Sequence, residues 1–207
     1  MNGNSINESD NLANKYQQKT DKQHILDNPD TYIGSIENVE SDLWVLDAPI
    51  NNNDDDSEGG CKKSESSLQN KIIQKKFHYI PALFKLFDEG IVNCRDHVIR
   101  MQQSIKNGLG NILPVTYIDI SIQDDGTITM INDGNGIDVA EHPEHKIWIP
   151  VMIFGHLRTS TNYDKSEKKI VGGKNGFGFK LVLIWSTYGY IETVDHVRGL
   201  KYTQTFR

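Results

Sequence analysis

Four polar side chains on one predicted helix have types and a spacing that could support chemistry. They are Glu89, Asn93, Asp96 and Arg100. Their positions, i, i+4, i+7 and i+11, place them on one narrow stripe of a helix. Because the helix is otherwise rich in apolar residues and unpaired buried polar groups are costly, these side chains require partners or a ligand. A solvated helix face stabilised by i,i+4 pairs is the alternative. The neighbours that indicate packing are Leu83, Phe84, Phe87, Ile91, Val92 and Ile99.

Two glycine-rich segments follow further along the chain. Residues 132–136 come directly after a predicted strand, and Gly134 and Gly136 allow a sharp turn that approaches a ligand closely. An amide or carboxylate at this strand end could read the edge of a base. Residues 172–180 precede an apolar helix, and their backbone N–H groups and two lysines would attract an anion such as phosphate. They match neither a Walker A loop nor a dinucleotide fingerprint. A plain turn and a flexible linker remain the alternatives for the two segments.

A run of three small hydrogen-bonding side chains, Ser160, Thr161 and Asn162, lies between the two glycine-rich segments. Such side chains could hold ribose or phosphate oxygens. A run of this kind is more often a loop or a helix cap.

The composition excludes several classes of protein. The chain has 207 residues with 22 Lys+Arg and 28 Asp+Glu, a net charge of −6, so it does not bind DNA through its bulk charge. Two cysteines, Cys61 and Cys94, cannot form a disulfide framework or a four-cysteine zinc site, and they indicate an intracellular, reduced protein. No apolar run approaches the roughly 18 residues of a membrane span, and the first residues lack the features of a signal peptide.

The element pattern predicts an α+β domain at 16–207, preceded by a flexible arm at 1–15 and interrupted by a disordered insertion at about 51–70. Thr20 to Gln23 has the spacing of a capping box, and Pro81 suits the first turn of a helix. Helices are predicted at 23–27, 81–101, 147–157 and 179–186. Strands are predicted at 43–46, 77–80, 115–122, 127–131, 190–194 and 201–206.

The motifs occur together in one order, and in that order they resemble the nucleotide-binding motifs of the GHKL (Bergerat) ATPases. Further segments resemble the N-terminal ATPase region of the type IIA DNA topoisomerases in their eukaryotic and large-virus form. The resemblance runs from about residue 15 to the last residue and implies a two-layer sandwich with a mixed, mostly antiparallel sheet and helices on one face. The segments that carry it are 24–26, 29–35 (Pro-Asp-Thr-Tyr-Ile-Gly-Ser), 87–89, 159–164 (Thr-Ser-Thr-Asn-Tyr-Asp) and 167–169.

The resemblance implies a role for each matching position. Glu89 matches the general base that activates the water attacking the γ-phosphate of ATP, and Asn93 matches the side chain that holds Mg²⁺. Asn132 matches the adenine-reading position, and Tyr16 matches an arm residue that reaches into the partner's site across a dimer. The other ATP-contacting positions are Arg100, Gly134, Gly136, Ser160, Thr161, Asn162, Gly173, Lys174, Asn175, Gly176, Phe177, Gly178, Phe179 and Lys180.

The sequence also departs from the family pattern. His97 replaces an amide and could either serve in its place or make binding sensitive to pH, a solvent-facing substitution being the alternative. Phe179 replaces a small residue and would crowd the glycine-rich loop, while Gly90 costs its helix about 1 kcal/mol relative to alanine. The chain ends at Arg207, before the last strand of the family's ATPase domain. The family's transducer domain, with its γ-phosphate lysine, is also missing, so we expect little turnover, about a tenth to a thousandth of the full rate.

The resemblance implies an ATP-hydrolysing DNA topoisomerase, an isomerase whose ATP-bound homodimer gate supports double-strand passage. DNA would be bound and cleaved by modules absent from this chain, no membrane would be involved, and the location would be the nucleus or a virus factory. Two alternatives stay open, a non-catalytic nucleotide-binding or dimerisation fragment and another GHKL ATPase. Residues 29–35 and 162–164 discriminate against the latter.

Overall fold

The computed structural model describes residue 12 and residues 15–47, 71–159 and 176–207. The predicted insertion and most of the predicted arm lie outside these ranges, so their boundaries stay predictions. Within the described ranges, no helix is both long and apolar enough to cross a membrane.

Two short helices open the described chain. Helix α1 (Asp21–Asp27) begins two residues before the predicted start at Gln23, because Thr20 caps it: Thr20 Oγ1 accepts a hydrogen bond from the Gln23 N–H at 3.2 Å. Helix α2 (Pro29–Tyr32) follows after a single residue and was not predicted. Pro29 ends the first helix, since it disfavours the helical conformation of the residue before it, and it occupies the first turn of the second.

A long hairpin follows the two helices. Strand β1 (Val39–Asp47) pairs antiparallel with β2 (Lys71–Tyr79) over nine residues, with Val39 opposite Tyr79 and Asp47 opposite Lys71. Both strands are longer than the predicted segments 43–46 and 77–80. The prediction was wrong at residue 80, because Ile80 precedes the first helical residue as its N-cap.

Helix α3 (Pro81–Lys106) is the longest element, with 26 residues, and it begins at Pro81 as predicted. The strand at Ile128–Asn132 packs directly on it: a Cβ added to Gly90 would lie 2.6 Å from Met130 Sδ. The intrinsic cost of a helical glycine is thus offset by close packing against the strand. The expected packing of Leu83 and Phe84 was wrong, since they are 58% and 65% exposed.

Two further hairpins and two short helices complete the fold. Strand β3 (Ile118–Ile122) pairs with β4 (Ile128–Asn132), and β5 (Gly189–Asp195) pairs with β6 (Leu200–Phe206), each antiparallel. Glycines with positive φ in both turns, Gly126 and Gly199, confirm the hairpins that the sequence predicts. Helices α4 (Ile149–Gly155) and α5 (Gly178–Trp185) lie between the two hairpins in the chain.

The predicted α+β class and antiparallel pairing are confirmed, but the described strands form three separate two-stranded sheets instead of one continuous sheet. After β4, the chain runs alongside β5 and is joined to it by side-chain hydrogen bonds instead of backbone-to-backbone pairing. The Ile137 N–H donates to Thr193 Oγ1 at 2.8 Å, and the Val139 N–H donates to Asp195 Oδ2 at 2.9 Å. These contacts hold residues 137–139 against β5 without extending the sheet.

The buried apolar core lies between α1, α2, α3 and α5. Its fully buried members are Ile25, Ile33, Ala82 and Leu181. Because α3 and α5 meet in this core, the core also fixes the position of the polar groups that the two helices carry.

Candidate functional site

The carboxylate of Glu89 lies where α3 meets the start of α5. A Cβ added to Gly178 would lie 2.5 Å from Glu89 Oε2, so the absence of a side chain there lets the carboxylate reach the first residue of α5. Lys85, one turn earlier on α3, places its Nζ 2.7 Å from Glu89 Oε1. This hydrogen bond to Glu89 raises the pKa of Lys85. The Glu89 side chain is only 19% exposed, and Lys85 and the first residue of α5 lie against its two carboxylate oxygens.

Asn93 lies one turn beyond Glu89 and is exposed. Its Nδ2 donates to the Glu89 backbone oxygen at 2.8 Å. Within the described part of the chain, its amide oxygen accepts no hydrogen bond, so that oxygen is available to a cation or a donor.

The far end of the polar stripe is buried. Asp96 is 2% exposed, and Arg95 Nη1 lies 3.3 Å from its Oδ1. Burial lowers the pKa of Arg100, while the nearby Asp96 raises it. The alternative of a wholly solvated helix face is therefore wrong for this end of the stripe.

The turn at residues 132–136 is fixed by its own side chains. Asp133 Oδ1 accepts hydrogen bonds from the N–H groups of Thr116 and Tyr117 at 2.7 and 3.1 Å, and its other oxygen accepts from the Thr116 hydroxyl. These bonds, the one with the Thr116 side chain foremost, lower the pKa of Asp133. Asn135 Oδ1 accepts from the Leu113 N–H at 2.7 Å. Asn132, the predicted adenine reader, is half-buried and donates to the Asp133 backbone oxygen at 2.9 Å.

Both glycines of the turn lie in close contact with other parts of the chain, whereas the predicted close approach to a ligand stays a prediction. Gly134 has φ 92°, and a Cβ there would lie 2.7 Å from Val115 Cγ2. A Cβ on Gly136 would lie 1.9 Å from the Val194 backbone oxygen. In this structure, the chain's own backbone and Val115 occupy the space that the two glycines leave.

Lys180 binds the chain's own carbonyl groups. Its Nζ donates to the backbone oxygens of Thr159 and Gly176 at 2.8 and 2.6 Å, and the residue is 7% exposed. Burial lowers the pKa of Lys180 to about 8. The Lys180 ammonium therefore links Thr159 to Gly176 through its two hydrogen bonds.

Aromatic side chains position the first residues of α5. The Phe177 ring lies 6.3 Å from that of Tyr32, whose hydroxyl forms a 2.9 Å hydrogen bond with His24 Nδ1. The Phe179 ring packs edge-on against Phe154 with centroids 6.0 Å apart, and its Cε2 would lie 3.7 Å from a Cβ on Gly90. Phe179 thus lies against α3 and α4.

Of the predicted site residues, the structure brings Glu89 close to Gly178, and it places Asn93 one turn and Arg100 about three turns further along the same helix. Tyr16 is 71% exposed, with Lys15 Nζ 5.4 Å from its ring centroid. Six predicted contacts lie outside the described residues: Ser160, Thr161, Asn162, Gly173, Lys174 and Asn175.

Sequence reasoning missed the residues that support the site. Lys85 could have been found from its i,i+4 spacing to Glu89. The roles of Asp133 and Asn135 in fixing the turn depend on residues 113–117, which no local pattern connects to them.

The chain is similar to DNA topoisomerase 2 proteins and to solved structures of their ATPase regions. The chain is 47% identical over 195 residues to DNA topoisomerase 2 of Acanthamoeba polyphaga mimivirus, covering 94% of this chain and 14% of that protein. It is 39% identical to the ATPase region of Saccharomyces cerevisiae topoisomerase II, with a TM-score of 0.71, covering 93% of this chain and 43% of that one. The ATPase and transducer domains of DNA topoisomerase II from Balamuthia mandrillaris give a TM-score of 0.73 at 36% identity, covering 94% and 42%. No protein-family profile matches the chain.

These findings confirm that the fold is that of a GHKL-type ATPase domain. Within that class, the chain is a homologue of the ATPase region of DNA topoisomerase 2. It spans less than half of the two solved structures just named and about an eighth of the curated relatives it matches.

Proposed function

We propose that the chain binds ATP as its magnesium complex and hydrolyses it, as the nucleotide-driven part of a type II DNA topoisomerase. The observation that carries the proposal is the approach of the Glu89 carboxylate to Gly178 at the start of α5, with Asn93 one turn away. The carboxylate thus lies against the glycine-rich start of α5, and the amide lies one turn further along the same helix. The similarity to ATPase regions of solved topoisomerases supports a nucleotide as the occupant.

Glu89 would act as the general base that takes a proton from the water attacking the γ-phosphate. A positioned base contributes roughly 10²–10⁴-fold to a rate. Asn93 would hold Mg²⁺ through its amide oxygen, which suits a cation that prefers oxygen ligands and keeps several waters. When bound, Mg²⁺ would shield the negative charge of the phosphates. The hydrogen bond from Asn93 Nδ2 to the Glu89 backbone fixes the amide, so its oxygen is the atom left for the cation.

The remaining residues would orient the nucleotide. Asn132 would read the adenine edge, and Arg100 would add a nucleotide contact. Lys180 would hold the Thr159 and Gly176 carbonyls, which positions the backbone N–H groups at the start of α5 for the phosphates.

The complete protein would act on DNA as an isomerase. ATP would close a homodimeric gate around a DNA segment, and hydrolysis would reset it. DNA would be bound and cleaved by parts of the protein beyond these residues, since the relatives are about seven to eight times longer. The exposure of Tyr16 supports its proposed reach into the partner's site. The protein would work in a nucleus or a virus factory.

A thermal melt with and without Mg²⁺ and a non-hydrolysable ATP analogue tests the binding proposal. At about 100 times its dissociation constant, the analogue should add roughly 2.7 kcal/mol of apparent stability. We expect this gain to require Mg²⁺, to shrink in Asn93→Ala and to persist in Glu89→Ala. A cooperative melt that does not respond to the analogue would refute the ATP site.

A module that binds nucleotide without hydrolysing it is the second candidate. The 2.7 Å pairing of Glu89 with Lys85 favours it, because the ammonium occupies one oxygen of the carboxylate that would otherwise face the attacking water. Steady-state phosphate release decides between the two candidates. We expect slow release that falls by at least about 100-fold in Glu89→Gln, whereas equal release by the two proteins would support the binding-only module.

A further inference from the structure

His97 lies on α3 beside the centre of the turn at residues 132–136. Its Nε2 is buried and, among the described residues, has no hydrogen-bond partner. The same atom would lie 3.3 Å from a Cβ placed on Gly134. The backbone of Asn135 lies close enough to the ring to raise the pKa of His97. The imidazole therefore supports both central residues of the turn, so the alternative of a solvent-facing substitution is wrong.

Few charged groups face this imidazole. Arg100 lies one turn along the same helix, and Asp133 lies on the turn packed against it. Burial, and then the Arg100 charge, lower the pKa of His97, while the Asn135 backbone and the Asp133 charge raise it. The Asp133 carboxylate is already engaged by Thr116 and Tyr117. Protonation would therefore place a second positive charge beside Arg100 with little compensation.

We infer that His97 is a positioning residue that holds the turn in its nucleotide-binding shape only while its ring is neutral, so that nucleotide binding weakens in acid. The inference rests on the proposed function, because the turn carries Asn132. An asparagine at position 97 would support the turn without titrating. The asparagine expected from the family resemblance thus gives the matched variant.

The test measures the dissociation constant for Mg²⁺ and a non-hydrolysable ATP analogue between pH 7.5 and 5.5. The γ-phosphate of the analogue titrates in the same range, so the pH dependence of His97→Asn serves as the reference that contains this effect. His145→Asn, which removes an exposed histidine, is the control. We expect affinity at pH 5.5 to fall further in the wild type than in His97→Asn, by twofold or more. The ordinary histidine pKa of about 6.5 limits this additional fall to about ten-fold. His145→Asn should follow the wild type.

A second measurement needs no substitution of His97. Nuclear magnetic resonance of the imidazole ring should show a pKa that falls further when the analogue binds, because the ligand selects the neutral form. An unchanged pKa, or equal pH dependence in the wild type and His97→Asn with binding intact at pH 7.5, would overturn the inference alone. Failure of all three proteins to bind at pH 7.5 would refute the proposed function and the inference with it.

Discussion

The carboxylate of Asp195 should contribute more to stability than any other charged group in the β5–β6 hairpin. It is 3% exposed and accepts four hydrogen bonds. Its Oδ2 accepts from the Val139 N–H at 2.9 Å and from Arg198 Nη1 at 2.7 Å. Its Oδ1 accepts from the N–H groups of Val197 and Arg198, both at 3.1 Å. One side chain therefore closes the hairpin turn and holds the segment that follows the glycine turn.

Replacing Asp195 with asparagine keeps the shape but turns one of the two acceptor oxygens into a donor. Two of the four donors then lose their acceptor, and the Arg198 charge loses its buried partner. A hydrogen bond to a charged group contributes about 1.5–3 kcal/mol. Because Arg198 is 40% exposed and solvent screens it, we take the lower end for each bond. The expected loss in the free energy of unfolding is about 3 kcal/mol.

Urea unfolding of Asp195→Asn measures this loss, and Asp138→Asn is the control. Asp138 contacts the same Arg198 Nη1 at 2.6 Å, but it is 65% exposed and should contribute less than about 1 kcal/mol. Equal destabilisation by the two variants would refute the reasoning, since burial and the backbone donors would then have no effect.

The same carboxylate predicts a pH dependence. Burial raises the pKa of Asp195, but the hydrogen bonds from Val139 and Arg198 outweigh it and lower the pKa to about 2. A carboxylate with a lowered native pKa stabilises the fold above its unfolded pKa of about 4, and this contribution is lost as the pH falls from about 4 to about 2. The stability difference between the wild type and Asp195→Asn should shrink over that interval.

Two other substitutions test local features of the fold. Gly136→Ala places a Cβ 1.9 Å from the Val194 backbone oxygen, which cannot move as a side chain end could, so we expect a loss of more than about 3 kcal/mol in urea unfolding. Gly110→Ala, where nothing lies within 4 Å, should change stability by less than about 0.5 kcal/mol, and a similar small effect at Gly136 would contradict the packing described. Thr20→Ala removes the cap of α1 and should reduce the free energy of unfolding by about 1 kcal/mol in urea unfolding. Thr20→Ser keeps the hydroxyl and should retain most of this stability.

The elements that the sequence predicts well are those with a local physical cause. Such causes are the backbone preferences of Pro81 at a helix start and of Gly126 and Gly199 in hairpin turns. The structure places all three where the sequence predicts them. The predicted end of α3 was early because its last turn is polar and lacks the apolar periodicity. The outer parts of β1 and β2 were missed for a related reason: charged residues such as Glu40 and Lys76 lie within them and pair across the strands at 2.6 Å.

The candidate site shows the same division. Helical periodicity alone aligns Glu89 with Asn93, and the structure places them one turn apart with a direct hydrogen bond. The partners of Lys180 and Asp195 could not be predicted, because Thr159 and Val139 lie 21 and 56 residues away in the chain. Such contacts depend on how hairpins and helices pack, which single-sequence patterns do not encode.

The register of the first hairpin has a practical consequence for engineering. The chain leaves β1 at Asp47 and enters β2 at Lys71, and these two residues lie directly opposite each other. The ladder fixes both ends, so the number of residues joining them does not set the position of either strand. In general, each doubling of the length of a loop costs only about 0.6 kcal/mol in closure entropy. A reporter peptide or an affinity handle can therefore be grafted between these strands, with its two attachment points held side by side.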